Sequence, residues 1–338
     1  MTETDTLLDV DGLTVSFRFG GRLFSRSSPL VAVKDVSFQI ARGETFALVG
    51  ESGSGKSTTA RAVMRLIEPE GGRITLGEHD LTALSRRQFR PYRKRIQMVF
   101  QDPYSSLDPS MIVSESVAEP LLVHSDLNSQ DRHERVAELF NLVGLSSDHL
   151  GRYPYEFSGG QRQRLAIARA IACDPDLVIC DEAVSALDVS TQNQIINLLE
   201  DLQDKLGVSY LFISHDLAVV RYIAQQVAVM YLGNIVEHGP VQRIFGATAH
   251  PYTQALLSAV PVPDPARSRD RKILRGDVPD PMNPPSGCPF STRCEFVMDV
   301  CKERMPPMTP VEGGGEVACW LQTDGPVLAG KPLPQEQD

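Results

Sequence analysis

The eight residues Gly50-Glu51-Ser52-Gly53-Ser54-Gly55-Lys56-Ser57 constrain this chain more than any other stretch. They satisfy G-x-x-x-x-G-K-[ST], whose glycines let the backbone curl until successive N–H groups point inward at one anion. The pattern carries meaning only between a strand and a helix. Thr45 to Val49 is a short apolar run of the kind that makes a buried parallel strand, and a helical pattern (Thr59, Ala60, Val63, Met64, Leu66, Ile67) starts at Lys56. The helix adds its positive dipole end to the loop. Gly50 through Ser57, with Thr58 next, are therefore the expected grip on nucleotide phosphates. Lys56 is expected to reach the β- and γ-phosphates and the Ser57 hydroxyl to bind Mg²⁺.

The rest of the chain supplies the alternation that such a loop needs. Leu7 to Phe17 and Val31 to Ile40 read as strands, Pro109 to Ala172 is mainly helical, and Leu177 to Cys180 and Tyr210 to Ile213 return as apolar strands. Strands alternating with helices predict an α/β fold with a parallel sheet. Around Pro261 to Pro265 the texture turns to proline, aspartate and arginine, which marks a linker. Beyond Asp277 the tail is rich in Pro, Gly and Cys and too poor in apolar residues to bury a core alone.

The strand Leu177-Val178-Ile179-Cys180 runs straight into Asp181 and Glu182. Carboxyl ends of strands are where α/β sheets hold ligands. Asp181 is expected to hold magnesium and Glu182 to polarise an attacking water as general base. A second anion reader, Ser158-Gly159-Gly160-Gln161, opens another helical stretch. One loop already cradles the nucleotide, so a second phosphate reader suggests ATP held between two copies of the fold.

Gln101 follows the strand Ile96 to Phe100, Ser185-Ala186-Leu187-Asp188 follows the two acids, and His215 follows the strand Tyr210 to Ile213. With these the sequence resembles an ATP-binding cassette (ABC) ATPase over roughly residues 7 to 250. The matched set is the Walker A loop, the Q-loop glutamine Gln101, the signature Ser158 to Gln161, Walker B ending at Asp181 and Glu182, the D-loop Ser185 to Asp188, and the switch histidine His215. The resemblance implies a P-loop NTPase with a RecA-like parallel-sheet core, an antiparallel β subdomain and a helical signature subdomain at about 103–173. Two such domains pair head to tail, Ser158 and Gly160 meeting the γ-phosphate held by the partner's loop. Gln101 joins Ser57 and Asp181 around magnesium and relays the nucleotide state to a membrane subunit, while His215 acts with Glu182 on the attacking water. An aromatic residue in the first strands stacks on adenine; Phe17 fits best, with Phe19 as an alternative. Ala183 stands where the family usually has proline, a change that removes no functional group but loosens the φ restraint on the turn carrying Glu182.

Longer stretches narrow the resemblance to ATPase subunits of bacterial oligopeptide and dipeptide importers. They include Tyr153-Pro154-Tyr155-Glu156-Phe157-Ser158-Gly159-Gly160, His250-Pro251-Tyr252-Thr253-Gln254-Ala255-Leu256 and Pro284-Pro285-Ser286-Gly287-Cys288-Pro289-Phe290 followed by Arg293-Cys294. The insertion Arg18 to Leu30 and Asp181-Glu182-Ala183-Val184-Ser185 look most like the second ("F") ATPase of such systems. That implies a different ATPase as dimer partner, two permeases and an external binding protein, with this chain peripheral on the cytoplasmic side. The expected division is an ATPase domain at 1–260 and an importer-type extension at 261–338. Related importers of nickel or glutathione, or a soluble ABC ATPase, are the alternatives.

Cys288, Cys294, Cys301 and Cys319 gather in the tail. By count four cysteines suit Zn²⁺ or a [4Fe–4S] cluster equally, while the family resemblance points to the cluster. Cys173 and Cys180 lie in apolar segments and read as small hydrophobes. A net charge of −10 argues against a general nucleic-acid binder. The basic run Arg86, Arg87, Arg90, Arg93, Lys94 and Arg95 therefore reads as a solvated face, and His79, His124 and His149 lack ligand spacing. The polar, acidic start Met1 to Thr6 predicts no secretion leader, and no stretch approaches the roughly 20 apolar residues that cross a bilayer.

Overall fold

A computed structural model of the chain describes residues 5–18, 29–260 and 276–323. The expected linker at Pro261 to Pro265 and most of the insertion Arg18 to Leu30, Phe19 included, lie outside the described residues. The strands are β1 (Thr6–Phe17), β2 (Leu30–Ala41), β3 (Thr45–Val49), β4 (Gly71–Leu76), β5 (His79–Asp80), β6 (Ile96–Val99), β7 (Leu177–Asp181), β8 (Ser209–Ser214), β9 (Gln226–Tyr231), β10 (Asn234–Pro240), β11 (Met308–Pro310) and β12 (Glu316–Ala318). β1, β2, β4 and β5 form a four-stranded sheet in the order β2-β1-β4-β5.

The chain divides into two compact units. One holds the described residues within Met1–Asp9, Gln39–Thr45 and Ile74–Ser214. Its parallel strands run β6-β7-β8, with Val99 beside Cys180 and Asp181 beside Ile213. β7 and β8 are buried at every residue, as near-continuous apolar runs covered on both faces must be. Helices at Val113–His124 and Ser129–Leu142 pack on a helix at Gly159–Ile171, the helical region expected before Ala172. A longer helix at Val189–Leu206 buries Ile195, Ile196, Leu198, Leu199 and Leu202 along one stripe. The basic run is largely exposed, and half-buried Arg95 pairs with Asp176 at 2.5 Å.

The other unit holds the described residues within Val10–Phe38, Phe46–Arg73 and His215–Asp338. Here β3 lies parallel to β9, Val49 beside Val229, and β9 turns through Leu232-Gly233 into antiparallel β10. The tail then adds two strands: β12 pairs with β10, placing Val317 opposite Glu237, and β11 pairs with β12. A tail too small for its own core thus borrows a sheet edge, and Val317 and Cys319 cluster with Ala249. Buried Glu237 ties this region together. It accepts from the Arg243 guanidinium and from the N–H groups of Ala249 (2.8 Å) and His250 (3.0 Å). Arg243 also donates to the Gly314 carbonyl at 3.0 Å. Among the described residues no helix is long and apolar enough to cross a membrane.

Candidate functional site

β3 delivers the chain to Gly50, and the loop ends where α1 (Lys56–Val63) begins. Both ends require glycine. A Cβ on Gly50 would meet the Met230 carbonyl at 2.2 Å, and one on Gly55 would meet the Ala32 carbonyl at 2.5 Å. Gly55 also has φ +108, open mainly to glycine. It caps α1 without any side-chain hydrogen bond, so the positive end of the helix dipole meets the loop directly. The Lys56 ammonium is buried and donates to the carbonyls of Gly50 (2.8 Å) and Glu51 (2.9 Å). Ser57 and Thr58 are half-buried on the first turn, while Ser52 and Gly53 are exposed.

Residues outside the loop fix its path. The Gly233 N–H donates to the Ser54 carbonyl at 2.8 Å. The Glu51 N–H donates to the Tyr252 hydroxyl at 2.9 Å. Arg293 donates from both terminal nitrogens to the Glu51 carboxylate, at 2.7 and 3.2 Å. Motif reading missed the last two contacts; only the placing of a carboxylate, Glu51, in a loop that gathers phosphates hints that a cation is needed. Phe17 ends β1 half-buried.

In the other unit β7 carries Asp181 as its last, buried residue. Glu182 then turns with φ +50, uncommon for a side chain of this kind. Its N–H donates to the Ile213 carbonyl at 3.0 Å, and its carboxylate accepts from Gln101 Nε2 at 2.9 Å. Two residues the sequence separates by 81 positions are thus brought into one hydrogen bond. Ala183 does not leave the turn loose: the Ser185 N–H (3.1 Å) and hydroxyl (3.0 Å) both donate to the Glu182 carbonyl.

Ser158 caps the helix Gly159–Ile171 in a reciprocal box with Gln161. Its Oγ accepts from the Gln161 N–H at 3.3 Å, and Gln161 Oε1 accepts from the Ser158 N–H at 3.0 Å. The hydroxyl proton stays available to an external acceptor, as do the N–H groups of Gly159 and Gly160. Asp188 likewise caps Val189–Leu206, accepting from the Thr191 N–H (3.0 Å) and hydroxyl (2.7 Å), and these bonds hold its carboxyl below the usual range. His215 follows β8 directly and is exposed.

In the tail Cys288, Cys301 and Cys319 are buried and Cys294 is half-buried. The Cys288 N–H donates to the Cys301 carbonyl at 2.7 Å. Burial pushes the thiols up, Cys288 to about 11 and Cys294 and Cys319 to about 12, and charge on neighbouring cysteines adds to it. Among the described residues, however, no three His, Cys, Asp or Glu side chains are placed to hold a metal ion.

Residues 33–185 match the ABC transporter family, and residues 236–301 match the oligopeptide/dipeptide transporter C-terminal region. The chain is 51% identical over 320 residues to a probable peptide ABC transporter ATP-binding protein, y4tS, of Sinorhizobium fredii, covering 94% of this chain and 91% of that one. It is 49% identical over 322 residues to the oligopeptide transport ATP-binding protein OppF of Haemophilus influenzae, covering 93% and 97%. The dimeric post-hydrolysis structure of the ATP-binding cassette MJ0796, bound to ADP and phosphate, superposes with a TM-score of 0.63 at 27% identity, over 70% of this chain and 99% of that one. The chain belongs to the ABC transporter ATPases. Within them it falls among the ATP-binding proteins that carry the oligopeptide/dipeptide transporter C-terminal region.

Proposed function

We propose that this chain is the ATP-hydrolysing subunit of a peptide importer, working against two permease subunits on the cytoplasmic face of the membrane. One observation carries the reading: similarity continues past the ATPase motifs into a C-terminal region defined by oligopeptide and dipeptide transporters. The two relatives above are named as peptide or oligopeptide transport proteins. The proposed domain division is an ATPase at 1–260 and a transporter-type extension from 261.

The loop Gly50 to Thr58, through backbone N–H groups other than that of Glu51, and the Lys56 ammonium bind and orient the phosphates of ATP. Ser57, Gln101 and Asp181 would hold Mg²⁺, which supplies neutralisation of phosphate charge when bound. Glu182 accepts a proton from the attacking water, and its bond to Gln101 supports a coupling of that base to the nucleotide state. His215 positions the water, and Phe17 stacks on adenine. Ser158, Gly159, Gly160 and Gln161 serve the nucleotide of a second, different ATPase subunit, and Ser185 and Asp188 line that pairing. An external binding protein delivers cargo to the permeases.

Cys288, Cys294, Cys301 and Cys319 offer four sulfurs and no nitrogen or carboxylate ligand, a donor set suited to thiolate-bound iron or zinc. A [4Fe–4S] cluster would organise the tail rather than carry electrons. Iron, sulfide and zinc analysis of anaerobically purified protein tests it; zinc alone, without visible absorbance, would replace the cluster, and neither metal would remove it.

The decisive functional test is Glu182→Gln in the assembled transporter. Turnover should fall by at least a hundred-fold, the scale set by losing a general base, while ATP binding survives. Undiminished turnover would overturn the assignment of Glu182. Peptide-stimulated ATPase in proteoliposomes tests the cargo, and stimulation only by a non-peptide solute would overturn that part.

A further inference from the structure

Glu51 places a carboxylate inside a loop built to gather polyanionic phosphates. Left alone, that charge would oppose the ligand. The structure supplies a counter-charge from 242 residues away. Arg293 meets both carboxylate oxygens, Nη1 to Oε2 at 2.7 Å and Nη2 to Oε1 at 3.2 Å. A two-pronged guanidinium–carboxylate pair fixes direction as well as charge. The Arg293 side chain is only 6% exposed, so water screens this pair far less than a surface ion pair.

The surroundings show that the pair is built in. Arg293 Nη1 also lies 3.4 Å from the Tyr231 hydroxyl. Tyr231 and Tyr252 pack at 4.7 Å, and Phe290, three residues before Arg293, stands against both at 5.4 and 5.3 Å. The Tyr252 hydroxyl takes the Glu51 N–H. Glu51 is therefore held at its backbone by one C-terminal group and at its side chain by another, and all these residues belong to one compact unit.

We propose that Arg293 is a positioning residue for the ATP site. It cancels the Glu51 charge and pins the second residue of the phosphate loop, so nucleotide affinity depends on the docking of the Cys-bearing tail. The inference rests on the reading of Gly50 to Ser57 as the ATP-binding loop.

The test is titration of the purified full chain with Mg·ATP by calorimetry, beside Lys56→Ala as a control. Arg293→Gln should weaken binding about ten-fold, within the range usual for coupled sites. Arg293→Lys, which keeps the charge without the fork, should recover part of the loss. The double variant Glu51→Gln with Arg293→Gln should return to within about three-fold of the parent, because no carboxylate is left to cancel. A double variant as weak as Arg293→Gln would mean packing alone and would overturn the proposal, as would Arg293→Gln binding like the parent. If Arg293→Gln fails to fold, Arg293→Lys and the double variant still decide. Lys56→Ala binding as well as the parent would instead overturn the ATP-loop reading itself.

Discussion

His250 ties the stability of the loop-bearing unit to pH. It is 1% exposed, and burial alone lowers its imidazole from 6.5 to about 3. Its Nδ1 accepts from the Tyr252 N–H at 3.0 Å as the cap of the helix Pro251–Ser258, which requires that nitrogen to be unprotonated. In the unfolded chain the ring titrates near 6.5. Between those values the unfolded state takes up a proton that the folded state refuses. The stability this contributes is fully present above pH 6.5 and is lost as pH falls toward 3. At 1.36 kcal/mol per unit, the loss reaches about 2.7 kcal/mol by pH 4.5. His250→Asn removes the titration but keeps a good cap, since Oδ1 can accept the same N–H. The loss of packing against Phe290, 5.7 Å away, should cost the variant about 1 kcal/mol at pH 7.5. Urea unfolding read at Trp320, the single tryptophan and a buried residue of the same unit, measures both proteins from pH 7.5 to 4.5. Carboxylates that titrate in both cancel in the difference. The stability of wild type relative to variant should fall by about 2.7 kcal/mol across that range, so that the variant becomes the more stable protein in acid. A difference that stays constant with pH would refute the reasoning.

Two other substitutions separate local geometry from chemistry. Gly55→Ala forces a Cβ to within 2.5 Å of the Ala32 carbonyl at φ +108; it should cost about 1–3 kcal/mol and abolish ATP binding, read by thermal unfolding and calorimetry. Ser158→Ala should cost about 1 kcal/mol through the lost cap and lower turnover, whereas Ser158→Asp should restore the stability but not the turnover, because a carboxylate caps the helix yet repels a phosphate.

The phosphate loop was legible because its chemistry is local: eight consecutive residues between an apolar strand and a helix. The helix end was less so. Met64, Leu66 and Ile67 continue the helical pattern, yet α1 stops at Val63 because Arg65 takes φ +50, a backbone choice that the pattern of apolar residues does not encode. Strand ends fared better, with β8 enclosing the expected Tyr210 to Ile213 and β7 running one residue further to bury Asp181. The tail was read as a small extension, but nothing in three-residue strands has enough period to reveal that β12 completes the edge of β10. Glu237 and His250 were invisible for a similar reason. A buried polar residue is recognised by its partners, and Glu237 finds them at residues 243, 249 and 250 only after the chain has folded.

The non-local contacts explain why the glycines of the loop are needed at all. Gly50 and Gly55 are not glycine merely to make the loop supple. The carbonyls of Met230 and Ala32 press against the positions their side chains would occupy. Add the Gly233 N–H on Ser54, the Tyr252 hydroxyl on Glu51 and the Arg293 fork on the Glu51 carboxylate, and the loop is held from several sides within one unit. A phosphate therefore meets N–H groups that are already ordered, and the entropy of arranging them was lost on folding rather than on binding. Changes at Tyr252 or Arg293 should accordingly shift nucleotide affinity and leave the hydrolytic step to Glu182 and Gln101, whose own hydrogen bond belongs to the other unit. The motif read from sequence names the atoms that touch the phosphates, while the atoms that hold those in place are scattered from Ala32 to Arg293.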